Sequence, residues 1–153
     1  MKKRRGILYC LLAASMLVSL TGCSKGGSGT HLLVAHSHNE NHPVHVGLTY
    51  MKDEMEKNTG YTFSIYPNGQ LGGNSDMIQM VKAGVLDVAK VSASSLEQFN
   101  PAYSIFSLPY VFQSTEHYFK VMEESRAVQE IFKSTYDQGF FAVGWYDSGA
   151  RSV

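Results

Sequence analysis

Beyond residue 30, short apolar runs alternate with longer stretches of helical periodicity, and this alternation restricts the fold more than any other feature. Leu32-Leu33-Val34-Ala35 is uniformly apolar, as expected of a parallel strand covered on both faces. A polar loop over residues 36–41 leads to a helix, with Asn41 as the expected cap and Pro43 in the first turn. Val44, Leu48, Met51 and Met55 mark its inner face, and Asn58-Thr59-Gly60 its stop. Residues 61–66 alternate, with Tyr61, Phe63 and Ile65 on one side, which predicts a second strand. Pro67-Asn68-Gly69 breaks it. A second helix is expected from about Ser75, burying Met77, Met80 and Val81 and ending at Gly84. Residues 85–91 read as a third strand and residues 92–95 as a polar turn. The longest expected helix covers 115–138. Glu116 lies in its first turn, Phe119, Met122, Ile131, Phe132 and Tyr136 form its inner face, and Gly139 ends it. Residues 140–146 read as a last strand.

Strands and helices in this order imply an α/β fold, a mostly parallel sheet with helices on both faces. Ligands of such folds collect beyond the carboxyl ends of the strands. That directs attention to residues 36–39, 92–95 and 147–151. Of the 153 residues, 44% are hydrophobic and 17% charged, a balance that supports a packed core and excludes a disordered chain.

The first 31 residues have a different character. Lys2, Lys3, Arg4 and Arg5 precede an apolar stretch of about 14 residues from Ile7 to Leu20, the length of a signal-peptide core and short for a membrane span. Leu20-Thr21-Gly22-Cys23 resembles the lipobox of bacterial lipoproteins, so residues 1–22 are read as a lipoprotein signal peptide and Cys23 as the lipidated residue. Residues 23–31, rich in Gly and Ser, are a tether from anchor to body. The second cysteine, Cys10, would leave with the signal, so no disulfide is expected. The leader also hides a charge bias. Four of the 13 basic residues lie in it, leaving nine against 13 acids. A mildly acidic body without basic clusters argues against nucleic acid as the partner.

Catalytic patterns are missing. The sequence has no Gly-x-Ser-x-Gly elbow, phosphate loop or dinucleotide fingerprint, and Asp53, Glu54 and Glu56 read as a solvated face beside Lys52 and Lys57. No reaction and no cofactor are expected. His36, His38, His42 and His45 leave one alternative open, an exported metal-binding lipoprotein or metalloenzyme. The preferred reading makes them polar loop and cap residues near a pocket.

The remaining motifs are ordered. Gln70-Leu71-Gly72-Gly73-Asn74 opens the second helix, and Ala83-Gly84-Val85-Leu86-Asp87 joins it to the third strand. Phe99-Asn100-Pro101 leads to Phe106-Ser107-Leu108-Pro109-Tyr110-Val111-Phe112, and Gly149-Ala150-Arg151 follows the last strand. Together, from about Leu32 to Val153, they resemble the solute-binding proteins of TRAP transporters, the tripartite ATP-independent systems for carboxylates. The resemblance implies a periplasmic-binding-protein-like (type II) first lobe over residues 32–153, exported and lipid-anchored outside the membrane. It would capture a C4-dicarboxylate or sugar acid for TRAP permease membrane subunits. It also implies ligand contacts from His36, Ser37, Asn74, Ser92, Ser94 and Arg151. The family's main carboxylate-clamping arginine belongs to a Lys-Gly-Leu-Lys-x-Arg type motif that this sequence does not reach. The chain is therefore expected to be a partial first lobe, with the second lobe largely missing and weak binding at best.

Overall fold

The computed structural model describes residues 29–149. Its centre is a three-stranded parallel sheet in the order β2-β1-β3: β1 (His31–His36), β2 (Thr62–Tyr66) and β3 (Val88–Lys90). Between them run α1 (Pro43–Asn58) and α2 (Asn74–Lys82), and β3 is followed by a 3-10 turn, Ala93–Ser95. A second 3-10 segment, Pro101–Ser107, precedes α3 (Thr115–Glu124) and α4 (Arg126–Lys133), with a last turn at Tyr136–Gln138.

The alternation of β1 explains the layering. Leu32 and Val34 pack with Val44, Leu48 and Phe63 against α1. Leu33 and Ala35 pack with Met77 and Leu86 against α2. Successive side chains of a strand point to opposite faces, so an uninterrupted apolar run is what a strand with a helix on each side requires. Val34, Ala35 and Met77 are fully buried. A third cluster, separate from the sheet, gathers Tyr103, Met122, Val128 and Phe132, with Trp145 at its edge.

Four expectations need correction. The cap of α1 is His42, whose Nδ1 accepts the Val44 amide at 3.2 Å, and Asn41 lies outside it. With Pro43 as first helical residue, the cap is the residue before it. The third strand is shorter than residues 85–91, because Val85 is exposed and Leu86 turns into the α2 cluster. The helix expected over 115–138 is interrupted at Ser125, which has extended backbone (φ −74°, ψ 120°). In an unbroken helix Met122 and Val128 would point roughly 120° apart, whereas the break lets both reach Tyr103. Phe119 and Tyr136, both expected on the inner face, are exposed. Residues 140–146 form no ladder among the described residues. Their one backbone anchor there is the Ala142 amide on the Phe132 carbonyl, 2.9 Å. Apolar alternation alone does not make a strand without a partner edge. Separately, His31, assigned by sequence to the tether, is the first residue of β1 and meets Thr62 and Ser64 with its ring nitrogens.

The layering gives a stability contrast. Met77→Ala is expected to lower unfolding free energy by on the order of 3 kcal/mol, whereas Tyr136→Ala should change it by less than about 0.5 kcal/mol. Urea denaturation followed by circular dichroism reads both. Equal effects would contradict the assignment of core and surface.

Candidate functional site

The carboxyl ends of β1 and β3 are neighbours because the ladder register places His36 opposite Lys90. The loop after β1 is pinned by the turn after β2. Asn68 and Gly69, both with positive φ (57° and 65°), donate their amides to the carbonyls of His38 and His36 at 2.8 and 3.1 Å. Asparagine and glycine are the residues that adopt this left-handed geometry readily.

Two polar groups stand on this platform. In the first, Asn74 Nδ2 donates to Ser92 Oγ (3.1 Å) and Ser95 Oγ (3.2 Å), and Ser92 also meets Ser94 at 3.0 Å and Ser95 at 2.9 Å. Asn74 is the first residue of α2, where the Gly72–Gly73 backbone is tied down by the Asp76 carboxylate at the Gly73 amide, 2.8 Å. Thus three of the residues expected from sequence, Asn74, Ser92 and Ser94, are brought together, joined by Ser95.

The second group is built of histidines and a lysine. His36 is fully buried. Its Nδ1 accepts the His38 amide at 3.2 Å, so neutral His36 carries its proton on Nε2 and donates to His45 Nδ1 at 2.9 Å. His38 stacks on His42 with ring centroids 4.0 Å apart, and its Nε2 accepts from Lys90 Nζ at 2.9 Å. Burial holds His36 and His38 below their ordinary value, helped by neighbouring positive groups. Burial alone pushes the Lys90 ammonium down. His36 thus uses both ring nitrogens, and His38, His42 and His45 one each, on one another, on backbone or on Lys90. Among the described residues no group of three or more His, Cys, Asp or Glu side chains could hold a metal ion, and the metalloprotein alternative gains no support.

His38, His42 and Lys90, with Pro43, Val44, Tyr146, Asp147 and Ser148, line a cleft of about 420 Å³. Gly47 lets the Tyr146 ring lie against α1, since a Cβ there would sit 3.3 Å from Tyr146 Cε1. A glycine inside a helix costs about 1 kcal/mol relative to alanine, and this close approach is a reason for it. Ser37 is exposed beside the cleft loop, and His36 faces the interior rather than the opening. Arg151 and Cys23 lie outside the described residues. Lys90 was missed by the sequence reading. The available signal was a lone cation among the apolar residues Val88, Ala89 and Val91.

Residues 34–153 match the family model described as bacterial extracellular solute-binding protein, family 7. The chain belongs to this family. YiiZ of Salmonella typhimurium, an uncharacterized protein, is 38% identical over 144 residues, 93% of this chain and 43% of that protein. A TRAP periplasmic solute-binding protein of Anaerococcus prevotii, solved with bound D-glucuronate, superposes with a TM-score of 0.75 at 38% identity, over 78% of this chain and 40% of that one. A TRAP periplasmic solute-binding protein from Sulfitobacter, solved with bound β-D-galacturonate, gives 0.71 at 28% identity, over 79% and 41%. The chain thus spans about two fifths of the length of these relatives.

The depressed histidines predict a pH dependence. A histidine whose folded pKa lies below 6.5 binds fewer protons folded than unfolded. As pH falls below 6.5, the unfolded chain gains protons that the native state resists, and stability declines. The urea midpoint should therefore drop between about pH 7 and pH 5, and His36→Asn, less stable at neutral pH, should show a shallower slope. A flat profile for the unaltered chain would contradict the buried, neutral assignment.

Proposed function

We propose that this family 7 chain belongs to the capture component of an ion-driven uptake system. It would take a small organic acid outside the cell membrane and deliver it to TRAP permease subunits. The observation that carries this reading is the cleft at the carboxyl ends of β1 and β3, with the Lys90 cation in its lining, and a hydroxyl-and-amide cluster, Asn74 with Ser92, Ser94 and Ser95, formed by the turn that follows β3 and the start of α2. An ammonium suits a carboxylate, and neutral donors and acceptors suit hydroxyls. The hexuronates bound by the Anaerococcus and Sulfitobacter proteins favour a sugar acid over a C4-dicarboxylate. Arg151, three positions beyond the cleft residue Ser148, is proposed as a second carboxylate ligand through its forked guanidinium. Ser37 is a rim contact in this reading, and His36 acts through His38 and His45. The role is capture and release, with no bond made or broken.

The experiment is an amide NMR titration of the purified chain with D-glucuronate, L-malate and uncharged D-glucose. The sugar acid should shift residues 37–38 and 92–95 at millimolar concentration, with glucose far weaker. No response to either acid, or an equal response to glucose, would overturn the capture reading.

Export and anchoring are proposed on Lys2 to Arg5, the apolar run to Leu20 and Cys23. Cells expressing the chain should incorporate labelled palmitate into it, and Cys23→Ala should abolish the label. Labelling that survives the substitution would remove Cys23 as the anchor.

A further inference from the structure

We propose that Lys90 binds the ligand's carboxylate directly, and that His38 is the positioning residue that holds its ammonium at the cleft. This rests on the capture reading and assigns a contact within it.

The placement follows from strand register. Val88 packs in the α1 cluster and Ala89 in the α2 cluster, so Lys90 returns to the α1 side, as does His36 opposite it on the ladder. Lys90 therefore emerges at the amino end of α1, beside His42, Pro43 and Val44. A helix amino end favours an anion through its dipole, yet here its backbone donors are already engaged. Pro43 has no N–H. The Val44 amide goes to His42 Nδ1, and those of His45 and Val46 go to the His42 carbonyl at 2.9 and 3.2 Å. An anion in this cleft must then be met by a side chain.

Lys90 has the capacity. Among the described residues no carboxylate lies within ion-pairing distance of its Nζ, and its one recorded partner is the neutral acceptor His38 Nε2. An ammonium has three donors, so two remain. Asp147, the acid of the same cleft, is exposed and accepts the Gly149 amide on Oδ1 at 2.8 Å. A half-buried cation without a counter-charge is held at a desolvation cost that a bound carboxylate would offset. His38 is fixed in turn by its stack on His42 and by its carbonyl bond to Asn68, which limits where the ammonium can swing.

The test uses lysine-labelled chain and D-glucuronate, with methyl β-D-glucoside as the uncharged probe. In the unaltered chain glucuronate should raise the titration midpoint of Lys90, because the anion favours the charged form. Lys90→Gln should weaken glucuronate binding roughly tenfold while Lys90→Arg stays within about threefold, as loss or retention of one charge-assisted contact predicts. His38→Gln should weaken binding less than Lys90→Gln and broaden the Lys90 resonance. If glucuronate still shifts Ser92 and Ser95 but leaves the Lys90 midpoint and the Lys90→Gln affinity unchanged, the assignment of Lys90 falls and the capture reading stands. If the glycoside binds as well as glucuronate, or neither binds, both fall. The midpoint measurement needs no variant, so a misfolded Lys90→Gln would not shelter the proposal.

Discussion

The described part of this protein depends on β1 being enclosed on four sides. It has a paired strand along each edge and a helix over each face, and its residues Leu32 to Ala35 fill two different cores. A strand in that position has no freedom to tilt or shift without opening both cores, and interiors packed to crystal density resist such adjustment. The loop that leaves its carboxyl end therefore starts from a fixed point. This is why side chains with weak individual preferences, His38 and His42 among them, can be held in a reproducible arrangement at the cleft.

The parts of the fold legible in sequence were those where a local pattern and its tertiary use coincide. The run before His36 read as a covered strand, and it is one. Gly84, with φ +69°, ends α2 as its position suggested. Asn74, Ser92 and Ser94, named from motif resemblance, do assemble. The failures share a cause, which is that periodicity does not report partners. Residues 140–146 alternate correctly, but a ladder needs a second backbone, and none is present among the described residues. The break at Ser125 exists for Tyr103, some twenty residues away in sequence, and no window around residue 125 contains that information. Lys90 was overlooked because one charge in a strand signals little until the register places it against His36 and the start of α1.

The histidines show how a suggestive composition resolves into structure. Four rings within ten positions look like metal ligands, yet each nitrogen's hydrogen bond is set by where the backbone puts it. His42 is consumed as a helix cap, His36 and His45 by each other, and His38 by Lys90. Together they form a polar brace between β1, α1 and β3. Within it, burial and neighbouring positive groups hold His36 and His38 below their ordinary value, which favours positive charge on the lysine over charge on those two rings. A neutral imidazole also accepts a hydrogen bond from the ammonium, which an imidazolium cannot.

The precision of that brace rests on a short ladder. Only three pairs join β1 to β3, and the third of them is His36 with Lys90. In a parallel pair, sliding β3 by one residue would carry Lys90 to the α2 face, away from His38 and the cleft. Three pairs alone would be a weak defence against that slip. Asp87 strengthens it, since its amide donates to the Leu33 carbonyl at 3.1 Å while its carboxylate accepts the Leu33 amide at 2.7 Å. This side-chain extension of the ladder uses a charged acceptor, stronger than a neutral one, one residue before the strand proper begins. Leu86, buried beside Met77, secures the same point from the opposite face. The cleft is thus aimed from its far end, by an aspartate that touches no part of it.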